Sequence, residues 1–236
     1  LTTAQTWVPN PVIALPAHTL FWSGRQTGGY FGNNRRVLQG TANTNQLYGY
    51  WGNQKRTFYT GNYPGFLSGA SPDTEWDIFS MSRIADGAYT FSWNGSLLYS
   101  GSISTGSWMD GLVINTGGNP AETSDCEIGE IILYNRVLTT DERTLIELYL
   151  DNKWNRSQKY PLIFPLDTVN PRLRVFQPTD FRDCYCWIDA VQDTSNVGST
   201  VSTLRDWSGN APTIAPLSPG TITLQANGLN GRPVYN

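Results

Sequence analysis

The chain has 236 residues and a mass of 26.2 kDa; 39% of its residues are hydrophobic, 13% aromatic and only 15% charged, with 23 Gly, 9 Trp and 12 Tyr. This length suits a single domain with a substantial core, and the composition suits strands joined by turns, which argues against a helical bundle. A net charge of −3 with scattered basic residues excludes a nucleic-acid surface, and no apolar run approaches the roughly 20 residues of a membrane helix.

The first residues, LTTAQTWVPNP, lack the basic and apolar regions of a signal peptide. Short β-rich runs follow at 18–24 (HTLFWSG), 35–39 (RRVLQ), 46–51 (QLYGYW), 56–60 (RTFYT) and 76–82 (WDIFSMS), separated by turn strings such as GG, GNN, YPG and DG. Residues 88–101, AYTFSWNGSLLYSG, predict a hairpin that turns on Asn94 and Gly95, because both residue types adopt positive φ readily. Further strands are expected at 111–115 and 127–134.

The period then changes. Thr139 is placed to cap a helix with Glu142 three residues on, a capping box, and Asp141 adds negative charge at the positive end of the dipole. Leu145, Ile146, Leu148, Tyr149 and Leu150 supply a broad apolar face, so a short surface helix is expected at about residues 140–154. Residues 161–177 carry Pro161, Pro165 and Pro171 among alternating apolar residues, which marks an extended connector pressed on the body of the protein. Residues 178–236 return to short strands. The expected fold is all-β, a jelly-roll sandwich of two antiparallel sheets with that one helix.

Two strings carry a family resemblance. IGEIILYNRVLTTDERTLIELYLDNKW, residues 128–154, resembles the C-terminal signature of laminin-G-like, concanavalin-A-like lectin/glucanase domains. The N-terminal signature of the same superfamily is similar to Trp187-Ile188-Asp189-Ala190, then Leu204-x-Asp206-x-Ser208-Gly209-Asn210, then the run from Asn227 to Pro233. The closing signature therefore precedes the opening one. Residues 1–160 read as the main part of a sandwich, 161–177 as the connector and 178–236 as opening strands of the same type. Such an order implies a circularly permuted single domain, an excised repeat, or a fold completed by a neighbouring subunit.

The superfamily's glucanases resemble one another in a strand bearing Glu-x-Asp-x-x-Glu. Here the nearest string is Glu127-Ile128-Gly129-Glu130, with Gly129 where the helper Asp would stand. On a regular strand Glu127 and Glu130 point to opposite faces, whereas a retaining pair must come within roughly 5 Å on one side of the sugar. His18 is the only histidine, so no nucleophilic triad is supported, and TGGYFGNN has no following helix to hold a phosphate. No catalytic residue is expected.

Glycan contact is carried by loop aromatics among polar residues and glycines: Tyr48, Tyr50, Trp51, Tyr59, Tyr63 and Trp108, against which stands packing in the core. Asp206 and Asn210 are candidate Ca²⁺ ligands by the resemblance, though an Asp-x-Ser-Gly-Asn turn also stabilises itself. Cys126 can bridge to Cys184 if the closing and opening strands are neighbours; the alternative is three buried thiols, with Cys184 and Cys186 on one strand face. Asn94 and Asn155 match the N-glycosylation pattern.

The reading that results is a non-catalytic, lectin-like structural or assembly module of an extracellular or virion surface: a fibre, capsid, sheath or adhesin. Its expected partners are other copies or neighbouring repeats, polymerising by strand exchange. A monomeric carbohydrate-binding module with glycan partners is the alternative, and a glucanase-like glycoside hydrolase the last.

Overall fold

In the computed structural model of the protein, the structure describes residues 7–8, 15–27, 35–39, 46–51, 54–60, 71, 73–84, 87–102, 113–114, 122, 124–154, 163–165, 173–193, 197–198, 200–201, 204–210, 215–216, 222–229 and 232–235. Ten strands precede the helix: β1 (Trp7–Val8), β2 (His18–Gln26), β3 (Arg35–Gln39), β4 (Gln46–Trp51), β5 (Gln54–Thr60), β6 (Asp77–Arg83), β7 (Ala88–Trp93), β8 (Ser96–Ser102), β9 (Val113–Ile114) and β10 (Cys126–Tyr134). The helix is α1 (Thr140–Trp154). After it come β11 (Ile163–Pro165), β12 (Leu173–Val175), β13 (Cys184–Asp189), β14 (Thr200–Val201), β15 (Ala215–Pro216), β16 (Ile222–Leu229) and β17 (Arg232–Tyr235).

Nine strands form one sheet in the order β14-β16-β17-β10-β2-β6-β7-β8, with β13 also on β10; a second sheet runs β5-β4-β3-β9. Leu20, Trp22, Phe79, Met81, Phe91, Ile131 and Leu133 of the large sheet meet Val37, Leu38 and Phe58 of the small one, forming the main core. Trp22 lies flat on Phe79 at 4.3 Å between ring centroids. The other face of the large sheet is covered by α1, where Phe21, Ile132 and Tyr134 pack against Ile146, Leu150 and Trp154. β2 and β10 are thus buried on both sides. That is why each holds consecutive apolar residues, Leu20 to Trp22 in β2 and Ile131 to Tyr134 in β10, instead of a clean alternation.

Segments 126–154 and 184–235 share this sheet. β13 pairs with β10 from Glu130 opposite Asp189 to Tyr134 opposite Cys184, and β17 meets β10 at Ile128 opposite Tyr235. The connector region folds back on itself, with Ile163 opposite Val175 in a two-stranded ladder. Its end, Phe176, packs edge-on against Tyr149 at 5.7 Å.

The helix starts where the capping box places it. The Glu142 amide donates to Thr139 Oγ1 at 3.2 Å, and the Thr139 amide donates to Glu142 Oε2 at 2.9 Å. Arg136 grips the same carboxylate with two bonds of 2.8 and 2.7 Å, which holds Glu142 down at about 2. The apolar face is narrower than expected: Ile146, Tyr149, Leu150 and Trp154 are buried, while Leu145 and Leu148 are half-buried.

Two bulges correct the expected faces. In β10 the register against β2 shifts between Ile128 and Glu130, so Arg25 stands opposite Glu127 and Ser23 opposite Glu130. Because Ser23 and Arg25 are two residues apart, Glu127 and Glu130 lie on the same face, not on opposite ones. The residue at the shift is Gly129, where a Cβ would stand 2.8 Å from the buried Trp154 ring. In β13 the register shifts at Tyr185, and Cys184 enters the helix-side cluster while Cys186 enters the main core. The two thiols therefore do not share a face. Nor is there a Cys126–Cys184 disulfide: Cys126 pairs with Gln26 at the start of β10, Cys184 with Tyr134 at its end, and all three cysteines are free and buried.

The β7–β8 hairpin turns as expected, with Asn94 at φ 44° and Gly95 at φ 76°. The Ile78 amide donates to Asn94 Oδ1 at 2.8 Å, and the Asn94 amide donates to the Ile78 carbonyl at 2.8 Å, so the turn is clipped to β6. Asn94→Ala should lower stability by about 1–3 kcal/mol in urea denaturation, since it strains the left-handed backbone and orphans the Ile78 amide. Asn94→Gly, which removes only the acceptor, should lose clearly less.

Candidate functional site

The β7–β8 turn is flanked by two features. On the helix side a groove of about 370 Å³ is lined by Ile78, Asn94, Gly95, Thr144, Glu147, Leu148 and Asp151. Thr144, Glu147, Leu148 and Asp151 come from one outward stripe of α1 at helical spacing, and the hairpin tip forms the opposite wall. Ser80 donates its hydroxyl to Glu147, but burial outweighs this bond and pushes the Glu147 carboxyl up. The groove thus sets a hydroxyl, an amide side chain and two carboxylates around the apolar Ile78 and Leu148. This is a surface suited to a ligand with alternating hydroxyl and C–H faces.

On the other side of the turn is a cluster built from the chain neighbours of Ile78 and Asn94. The half-buried Trp93 donates its indole N–H to Asp77 Oδ1, and Arg56 lies over the ring with Cζ 3.3 Å from its centroid. Lys55 pairs with Asp73 and stands 3.9 Å from Asp77 Oδ2. Burial is the main influence on Asp77 and pushes its carboxyl up, against the pull of the Trp93 bond and of Lys55 and Arg56. Sequence reasoning missed both features. A faint signal was present in Glu147 and Asp151, carboxylates four apart beside Thr144 on a helix whose other face is apolar.

The residues singled out in the sequence scatter. Tyr48 stands in register between Leu38 and Phe58, Tyr50 opposite Arg35, Trp51 opposite Gln54 and Tyr59 opposite Leu47. Tyr63, Trp108 and Asn155 lie outside the described residues. Asp206 Oδ1 accepts the Trp187 amide at 2.8 Å and the Ser208 amide at 3.0 Å, and Oδ2 accepts the Ser208 hydroxyl at 2.7 Å. The Asn210 side chain donates to the Cys184 carbonyl at 2.7 Å. The DWSGN turn therefore clips itself to β13. Among the described residues no group of three His, Cys, Asp or Glu side chains is gathered to hold a metal ion, and no helix is long and apolar enough to cross a membrane.

No protein-family model and no curated protein sequence matches the chain. Among solved structures it is similar to a Bacteroides ovatus protein assigned to carbohydrate binding, with a TM-score of 0.55 at 9% identity over 99% of this chain and 62% of that one. Domain 4 of AbnA, the GH43 extracellular arabinanase of Geobacillus stearothermophilus, gives a TM-score of 0.45 at 14% identity over 60% of this chain and 71% of that one. Trypanosoma rangeli sialidase gives 0.47 at 16% identity over 57% of this chain, which spans 23% of the sialidase. The first match follows nearly the whole chain, whose described residues form two main antiparallel sheets and one α-helix. The fold is an antiparallel β-sandwich of the jelly-roll kind.

Within this sandwich the acidic pair of β10 is closed off. Glu130 is fully buried; its Oε1 accepts the Trp187 indole N–H at 2.6 Å and the Tyr149 hydroxyl at 2.8 Å, and its Oε2 accepts the Trp154 indole N–H at 2.9 Å. Lys153 Nζ lies 2.9 Å from Glu130 Oε2 and 2.7 Å from Asp189 Oδ2. Burial pushes the Glu130 carboxyl up, and Lys153 and the Trp154 bond draw it back. Glu127 pairs with Arg25 at 2.8 Å with only 8% of its side chain exposed. The sequence suggested that orientation separates the two acids; instead both are engaged, Glu130 beneath α1 and Trp187 and Glu127 by Arg25.

Proposed function

We propose that the chain is a non-catalytic, glycan-binding module that works outside the cell. The observation that carries this reading is the groove between α1 and the β7–β8 turn, with its hydroxyl, amide and carboxylate groups around Ile78 and Leu148. Sugars are held by such convergent polar groups beside apolar patches. The similarity in fold to the Bacteroides ovatus protein assigned to carbohydrate binding supports the reading in kind, and the burial of Glu130 under Trp154 and Trp187 supports a site without hydrolysis.

On a glycan array the protein should be retained by a subset of oligosaccharides. Thr144→Arg, made at an exposed position of the helix that lines the groove, should weaken the best of these at least about tenfold by filling the groove, with an unchanged thermal midpoint. Retention by no glycan, or binding untouched by Thr144→Arg, would count against the groove.

A second reading, a subunit of a surface assembly, is favoured by one feature. β8 ends the large sheet without a further strand in the described residues, carries no charge or proline in SLLYSGS, and exposes Leu97 at 59%. Uncovered edges of this kind invite pairing with another copy. A mass by light scattering that rises with concentration would favour assembly; a constant monomer mass would remove it.

A further inference from the structure

Arg56 combines three features that its own surroundings do not explain. Its backbone sits at φ 59°, a left-handed conformation that residues with a Cβ adopt at a cost and that clusters at ligand sites. Its Nε is buried with no hydrogen-bond partner. Among the described residues no carboxylate comes within ion-pair distance of it: Asp73 is taken by Lys55, and Asp77, which attracts Arg56 from farther off, by the Trp93 indole and, at 3.9 Å, by Lys55. What holds the guanidinium is the Trp93 face, 3.3 Å away, and the Asp77 bond fixes that ring in turn. A ring contact through Cζ leaves the terminal N–H groups of the guanidinium unused, and their fork matches the two oxygens of a carboxylate.

The geometry points to the Arg56–Trp93 ledge as a subsite for the carboxylate of an acidic sugar residue, such as a uronic acid. This rests on the glycan-binding reading and makes it specific. The ledge and the groove flank the same β7–β8 turn, since Trp93 precedes Asn94 and Asp77 precedes Ile78 in the chain. The two lie on opposite faces of the large sheet, Ile78 in the helix-side cluster and Trp93 against the main core, so a glycan reaches both by passing around the hairpin tip. Lys55 and Arg56 together offset Asp73 and Asp77 beside the ring, so the preference for a carboxylate rests on the guanidinium fork rather than on net charge.

The test is isothermal titration calorimetry of the full chain with a galacturonic acid oligosaccharide and with the same oligosaccharide after reduction of its carboxyls to alcohols. The acidic form should bind about tenfold tighter, the size expected for a charge-assisted bidentate contact. Arg56→Asn, whose residue type accepts the left-handed backbone, should erase that preference and leave the affinity for the reduced form unchanged. Arg56→Lys keeps the charge without the planar fork and should retain only part of it. Equal affinities of the wild type for the two forms, or a preference that survives Arg56→Asn, overturns the subsite while the glycan reading stands on the affinity for the reduced form. A sulfated oligosaccharide bound more tightly than the carboxylated one overturns the carboxylate assignment. Failure to bind this and every other oligosaccharide overturns the subsite and the glycan reading together.

Discussion

Replacing Glu130 with alanine is expected to lower the unfolding free energy by about 3–5 kcal/mol, read from urea denaturation at pH 7. The substitution strips the acceptor from the indoles of Trp154 and Trp187 and from the hydroxyl of Tyr149, three donors in a region closed to water. Each buried orphan costs about 1–3 kcal/mol, and such losses are less than additive within one network. Lys153 is not abandoned, because Asp189 Oδ2 still faces it at 2.7 Å. The cost therefore lies chiefly in the orphaned donors rather than in a stranded charge. Glu130→Gln keeps the shape and one acceptor oxygen but turns an amide N–H₂ toward donors, so it should fall between wild type and alanine. A loss below about 1 kcal/mol for alanine, the scale of an ordinary substitution, would show that the network does not tie α1 to the sheet.

The same network joins the two strings singled out in the sequence. Gly129, Glu130, Lys153 and Trp154 belong to one quoted string, Trp187 and Asp189 to the other, and the fold brings all six to one buried point. Local devices were readable in the sequence: the Thr139–Glu142 box and the Asn94–Gly95 turn are each decided within a few residues, by backbone groups that the neighbouring side chains satisfy.

Faces and sites depended on distant partners and were not readable. Whether Glu127 and Glu130 share a face is set by the bulge at Gly129, which meets Trp154 in a different element. The separation of Cys184 from Cys186 likewise follows from the shift at Tyr185 against β10. The groove takes one wall from α1 and the other from a hairpin tip, and no spacing in the sequence announces that meeting. In QKRTFYT nothing asks for a left-handed Arg56. Aromatic residues in polar company were a compositional signal, and composition does not distinguish a ledge from a core position such as that of Phe58, opposite Tyr48.

Acidification should destabilise the protein through its single histidine. His18 is fully buried, its Nδ1 bonded to the Leu15 carbonyl at 3.1 Å and its Nε2 buried without a partner. A carbonyl accepts, so Nδ1 carries the proton and Nε2 is the basic lone pair. Protonation there would place a charge in the core opposite Arg83, its neighbour in the β2–β6 ladder. Burial, with a smaller push from Arg83, lowers His18 from 6.5 to about 4 despite the Leu15 bond. The unfolded chain therefore takes up a proton from pH 6.5 downward while the folded chain refuses it until about pH 4. The stability that depends on neutral His18 is whole above pH 6.5 and falls by about 3 kcal/mol by pH 4. Buried carboxyls oppose this trend: Asp77, Glu147 and Asp193 are raised, so their contribution is present at low pH and lost as pH rises through their folded values. The decisive quantity is thus a difference. The gap in unfolding free energy between wild type and His18→Asn should shrink by about 3 kcal/mol between pH 7 and pH 4. A gap that stays constant with pH would mean that the folded protein admits the proton on His18 as readily as the unfolded chain does.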